Sequence, residues 1–123
     1  MNTPGGNPMP AVHWYDPHAA PLNEARDVID LIGEAWSSGA TWVAVPADRL
    51  PEGFFTLGTG VAGEIAQKFV TYGVGLSIVG DVSGHTAGSA ALRAWVLECN
   101  RGRHIWFVRD AAELAARLAT APA

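Results

Sequence analysis

Residues 59–81 read TGVAGEIAQKFVTYGVGLSIVGD, and two structural periods meet inside this stretch. Val61, Ile65 and Phe69 recur at four-residue steps, the spacing of one helix face. The helix they predict runs from Thr59 or Gly60 to Tyr72. Thr59 stands where a hydroxyl can accept an orphan backbone N–H of the first turn. Leu76 to Val79 (LSIV) is then a short run too apolar to have a wet face, and Gly80-Asp81 ends it. A strand of that kind is covered on both sides, as in a parallel sheet packed with helices.

The same alternation continues outward. Upstream, Val28, Leu31, Ile32, Ala35 and Trp36 mark the inner face of a helix that starts near Asn23. Ser37, Ser38 and Gly39 end it, with Gly39 a natural left-handed cap. Thr41 to Val45 (TWVAV) is a β-rich run stopped by Pro46, and a Pro-Glu-Gly turn leads on to Phe54 and Phe55. Ala11 to Tyr15 is a further short strand candidate. Downstream, a loop from Val82 to Gly88 precedes a helix with Leu92, Trp95, Val96 and Cys99 inside and Asn100 and Gly102 as cap candidates. His104 to Val108 (HIWFV) is the last strand, and Asp110 caps an Ala-rich helix through Leu118. The pattern predicts a single α/β domain over residues 11–123, with a mostly parallel sheet of four or five strands. Residues 1–10 (MNTPGGNPMP), with three Pro and two Gly, read as a flexible tail.

Composition narrows the function classes. Of 123 residues, 49% are hydrophobic and only 16% charged, which excludes a disordered chain and predicts a well-filled core. Twelve acids against eight bases give a net charge of −4, so no basic footprint points to nucleic acid. A lone cysteine, Cys99, excludes a disulfide framework and suits a reducing compartment. No apolar run approaches the length of a membrane span and no secretory signal is visible, so the expected location is the cytoplasm. The four His show no metal-ligand spacing, and no metal is expected. Of the five Trp, Trp36 and Trp95 fall on predicted core faces and Trp42 and Trp106 in two-sided strands; Trp14 has no such explanation.

Gly58-x-Gly60-x-x-Gly63 imitates a dinucleotide-binding fingerprint, with Asp81 as the ribose acid. Its context is wrong. Glu52 to Leu57 contains Gly53 and is short for a central strand, and the chain is too small for two mononucleotide halves. No cofactor is therefore expected, and the glycines are read as a helix start packed tightly on the sheet. Backbone N–H groups from Thr59 through Gly60 to Gly63 remain candidates for holding an anion. Asp81, Ser83, His85, Thr86 and Ser89 follow a strand end, where ligands of open α/β sheets bind, and Asp81 with His85 is a candidate acid–base pair. The competing reading is that Asp81, Ser83 and Ser89 only cap turns. Arg101 and Arg103 suit a helix end or an anionic group.

Phe54-Phe55-x-Leu57, Thr59-Gly60-x-Ala62-Gly63-Glu64-Ile65-x-Gln67-Lys68-Phe69, Gly80-Asp81 and Glu98-x-Asn100-Arg101-Gly102 form a specific set. With them the chain resembles a bacterial family, the domain of unknown function 4180, over roughly residues 23–119. Gly58 replaces a long or basic residue of that family, and Cys99 stands where Ser is more frequent. The family is similar in element order to STAS domains, the anti-sigma-factor antagonist fold, which open with a β-hairpin; the first segment here is short for one. The resemblance implies a regulatory module in which Thr59, at the start of the second helix, is the phosphorylated switch position, although the Asp that normally precedes it is missing.

Two functions from different classes follow. One is a non-enzymatic module that binds a protein partner or its own copy, as a homodimer, with an exposed apolar patch near Phe54 to Gly63. The other is a binder of a small anionic ligand, or a small biosynthetic enzyme. It would use Asp81 and His85, with Arg101 or Arg103 on the anionic group, around a pocket of at least ~300 Å³.

Overall fold

The computed structural model describes residues 11–120; the predicted tail, residues 1–10, and the last three residues lie outside them. Strand β1 (Val12–Trp14) leads to helix α1 (Ala25–Ser37) and strand β2 (Trp42–Pro46). Helix α2 (Val61–Tyr72), strand β3 (Gly75–Val79), a short helix α3 (Ser83–Thr86) and helix α4 (Ala90–Arg101) follow. Strand β4 (Ile105–Val108) and helix α5 (Ala111–Thr120) complete the order. The four strands form one sheet in the order β1-β2-β3-β4, every pair parallel. Where the STAS pattern opens with a hairpin, the described residues hold the single strand β1, paired parallel with β2.

Each crossover steps one strand in the same direction, and crossovers of one hand then lay their helices on one face. That face joins α1, α2 and α4 to Val43, Val45, Leu76, Ile78, Ile105 and Phe107. The other face carries Trp42, Ala44, Trp106 and Val108, against Leu114 and Leu118 of α5. Alternate residues of β2, β3 and β4 are thus buried on opposite sides, which explains why these strands show no polar alternation.

Helix α1 starts at Ala25 through a capping box in which the Glu24 N–H donates to Asp27 Oδ2 at 3.0 Å. Its inner stripe is Val28, Leu31, Ile32 and Ala35. Trp36, predicted inside, is exposed. At about 100° per residue it lies at the rim of the stripe, roughly 80° round from Val28, and its indole instead meets the Tyr72 ring edge-on at 5.9 Å. The other three predicted core tryptophans are at least partly buried, and Trp14 is exposed.

The apolar patch predicted near Phe54 to Gly63 is largely covered, with Phe55, Leu57 and Val61 half-buried. Phe54 is buried, edge-on to Phe55 and Trp95 at centroid distances of 5.0 and 6.1 Å. The predicted loop from Val82 to Gly88 contains α3, a single turn whose first residue, Ser83, donates its N–H to Asp81.

On the second face the indoles of Trp42 and Trp106 stack at 4.2 Å. They belong to β2 and β4, so the contact passes over β3 at Gly75, the register partner of Trp42. The outer edge of β4 is blocked by side chains. Asn100 Oδ1 accepts the Phe107 N–H and Glu113 Oε1 accepts the Arg109 N–H, each at 2.7 Å. Such capping removes donors that another strand would use.

Candidate functional site

The loops at the carboxyl ends of the strands hold Thr59, Asp81, Ser83 and His85. Asp81 Oδ1 accepts the Ser83 N–H at 2.9 Å. Bonds from the Ser83 hydroxyl and N–H hold the Asp81 carboxyl below its ordinary range, with a further contribution from the Arg109 guanidinium. His85 does something else: its ring stacks on Phe55 at 4.0 Å with 7° between planes. No hydrogen bond joins Asp81 to His85.

A crevice of about 320 Å³ opens beside Asp81. Val82, Val96, Leu97, Phe107 and Val108 give it apolar walls, and Asp81, Ser83, Thr86, Arg93, Asn100 and Arg109 supply polar groups. Its place follows from topology. The connection leaving β3 goes to α4 on one face, whereas the chain leaving β4 goes to α5 on the other. Strand ends whose connections part in this way leave a gap, the usual ligand position in open α/β sheets. Of the sequence candidates, Asp81, Ser83 and Thr86 line it, and His85, Ser89, Arg101 and Arg103 do not. Arg93 and Arg109 were missed. Arg109 directly follows an apolar strand, which is a readable signal; Arg93 had none.

Arg101 and Arg103 lie toward the other end of the sheet, because α4 runs back about 18 Å over its 12 residues. Both are exposed, and Arg101 sits 3.6 Å from Glu98. Asn100, in the same motif, is a structural hub. Its side chain accepts from Phe107, and its carbonyl accepts from Arg117 Nη2 at 2.7 Å. Arg117 in turn lies 4.3 Å over the Trp106 ring. Asn100→Ala should cost about 2 kcal/mol in denaturant unfolding, since the Phe107 N–H loses its acceptor. An unchanged unfolding midpoint would contradict this role.

Thr59 Oγ1 lies 2.7 Å from the Gly53 carbonyl and 2.8 Å from that of Thr56, and accepts the Val61 N–H at 3.2 Å. The hydroxyl therefore ties the loop to the helix start. Gly60, at φ +80°, is the residue that caps α2, and its own N–H is taken by the Leu57 carbonyl. Gly63 is exposed on α2. Cys99 is half-buried, and burial followed by the Glu98 charge pushes its thiol up to about 11. It is a packing group and not an activated nucleophile.

A second feature is the outer face of α1 and α2. Ile29, Trp36 and Tyr72 are 43%, 58% and 41% exposed. Beside the aromatic pair lies a hollow of about 450 Å³ lined by Ile29, Gly63, Lys68 and Tyr72, among others. A wider depression on the other side of Ile29 is bordered by Asp30, Gly33 and Glu34. A Cβ added at Gly33 or Gly63 would meet nothing within 4 Å. Glycine in an exposed helix interior costs about 0.5–1 kcal/mol relative to alanine, so neither is needed for packing within the chain.

Fold and sites together define a small parallel α/β domain with a strand-end crevice and an exposed aromatic helix face. No helix among the described residues is long and apolar enough to cross a membrane. The chain belongs to the family described as domain of unknown function (DUF4180), whose sequence model matches residues 10–118. No curated protein and no solved structure matches it.

Proposed function

We propose that this domain is a non-enzymatic interaction module that pairs with a second copy of itself through the outer face of α1 and α2. The observation that carries this reading is the Trp36–Tyr72 pair, two large rings in contact with each other and left in water. Tyr and Trp dominate the energetics of protein interfaces, because they bury much area for little lost freedom.

The choice of a second copy rests on self-complementarity. A two-fold interface sets one patch against itself, so the patch must carry both a projection and the recess that takes it. The aromatic pair projects at the C-terminal ends of the two helices, and the recesses beside Ile29 lie next to it. Asp30 and Glu34 flank one recess, and Lys68 with Glu64 the other, so Lys68 of one copy can face the acids of its partner. Gly33 and Gly63 let a neighbouring helix approach closely. Thr59 lies at the opposite end of α2 from Tyr72, so a phosphate there would act on the strand-end loops rather than on this face.

Light scattering and sedimentation over a concentration series test the reading. The parent chain should be a dimer, and Trp36→Ala should weaken it by at least about 30-fold. Gly33→Leu should also disrupt association while the monomer stays folded, because it fills the recess from outside. A strict monomer up to about 0.5 mM overturns the proposal, as does a dimer indifferent to both substitutions.

A further inference from the structure

We infer that the strand-end crevice binds a small zwitterion with an apolar body, a free amino acid of the large hydrophobic type, held between Asp81 and the Arg93–Arg109 pair. Three observations converge on this chemistry, none of which concerns the helix face above.

The first is composition. The crevice combines five apolar side chains with one carboxylate and two guanidiniums, and a site for a simple anion would not place an ionised acid among its donors. Opposite charges around an apolar recess match a ligand bearing both an ammonium and a carboxylate. The second is preparation. Asp81 is turned and fixed by Ser83, whose N–H donates to Oδ1 at 2.9 Å. Arg93 donates one N–H to the Thr86 carbonyl at 3.0 Å, which positions its guanidinium and leaves its other N–H groups for a carboxylate. Arg109 projects from the end of β4, with Glu113 3.8 Å from its Nε. The third is vacancy of packing. Leu97 is 55% exposed, a large apolar side chain on the crevice wall that the fold itself leaves uncovered. The volume, about 320 Å³, suits a single amino acid and is small for a nucleotide.

The amino group would lie against Asp81, the carboxylate against Arg109 and Arg93, and the side chain along Leu97, Val96 and Phe107. No bond is made or broken, so this is a sensing or carrying site. A ligand there would bridge the segment after β3 to the segment after β4, two connections that otherwise diverge.

The test is an amide chemical-shift titration of the full chain with L-phenylalanine, with 3-phenylpropionate, which lacks the ammonium, and with phenethylamine, which lacks the carboxylate. L-phenylalanine should saturate with a Kd on the order of 0.1 mM and shift amides of residues 80–83 and 108–109. Each analogue should bind at least about tenfold more weakly. Arg109→Gln should weaken L-phenylalanine by about tenfold or more. Asp81→Asn keeps an acceptor for the Ser83 N–H, and it should weaken L-phenylalanine without weakening phenylpropionate. The proposal is overturned if L-phenylalanine, L-leucine and L-tryptophan all fail to saturate by about 10 mM. It is equally overturned if the three phenyl compounds bind alike, or if the shifts fall elsewhere on the molecule.

Discussion

Gly75→Ala should destabilise the domain by about 3 kcal/mol in denaturant unfolding, although it adds one methyl group to a strand. A Cβ at this position would lie 2.4–2.6 Å from three ring atoms of Trp42. The ring cannot swing away, because it is buried and stacked on Trp106 at 4.2 Å. Overpacking of this kind costs about 1–3 kcal/mol, and losing the stacked geometry adds about 0.5–1.5 kcal/mol. The opposing gain, a less flexible unfolded chain, is only about 0.4–1 kcal/mol. The near-ultraviolet circular dichroism of the tryptophans should change with stability, since both report the same stack. Trp42→Val in the Gly75→Ala background should recover part of the loss, giving a coupling energy in a double-mutant cycle. A Gly75→Ala protein within about 0.5 kcal/mol of the parent would show that the indole does not lie over the strand.

Phe54→Ala should cost about 3–5 kcal/mol, a value usual for a central core position and unusual for a connecting segment. Phe54 lies between β2 and α2, outside any helix or strand, yet it is only 1% exposed. It fills the space beneath its own loop and meets Trp95 of α4 across the layer. Truncation leaves a cavity that the flanking backbone is poorly placed to close, because Thr59 Oγ1 ties that loop to the Gly53 and Thr56 carbonyls. Phe55, partly exposed and stacked on His85, should cost clearly less when replaced by alanine. Equal losses at the two positions, measured by urea unfolding with unchanged m, would refute this division of labour.

Much of the fold is legible in the sequence because burial writes a period into it. Val28, Leu31, Ile32 and Ala35 announce their helix, and the strands announce a two-sided sheet by lacking any polar alternation. Strand order is not written that way: periodicity records which side is buried, not which neighbour covers it. For the same reason nothing in the Ala-rich run after Asp110 says that α5 is the one helix among the described residues that covers the Trp42–Trp106 face. Trp36 misleads because a large apolar residue at the rim of a stripe satisfies the period without being inside. The candidate site was half legible. Asp81 and Ser83 could be placed at a strand end from the order of elements. The stacking of His85 on Phe55 depends on a loop folding back, and α3 forms from Ser-Gly-His-Thr, four residues with little helical preference of their own. Arg101 ends α4 next to Asn100, which lines the crevice, but its side chain is out in solvent beside Glu98, and Arg103 lies past the helix end; the order of residues does not record either fact.

The sheet order also has a consequence in time. Each strand's partners are its immediate predecessor and successor, so a chain delivered N-terminus first completes one βαβ unit after another and closes the α1–α2–α4 side as it goes. The opposite side follows a different schedule. Trp42 is laid down in the second strand, finds its stacking partner only in the fourth, and is roofed only when Leu114 and Leu118 follow. Once β4 is made the domain is a finished half-shell, with the Trp42–Trp106 surface waiting for the helix that comes after it.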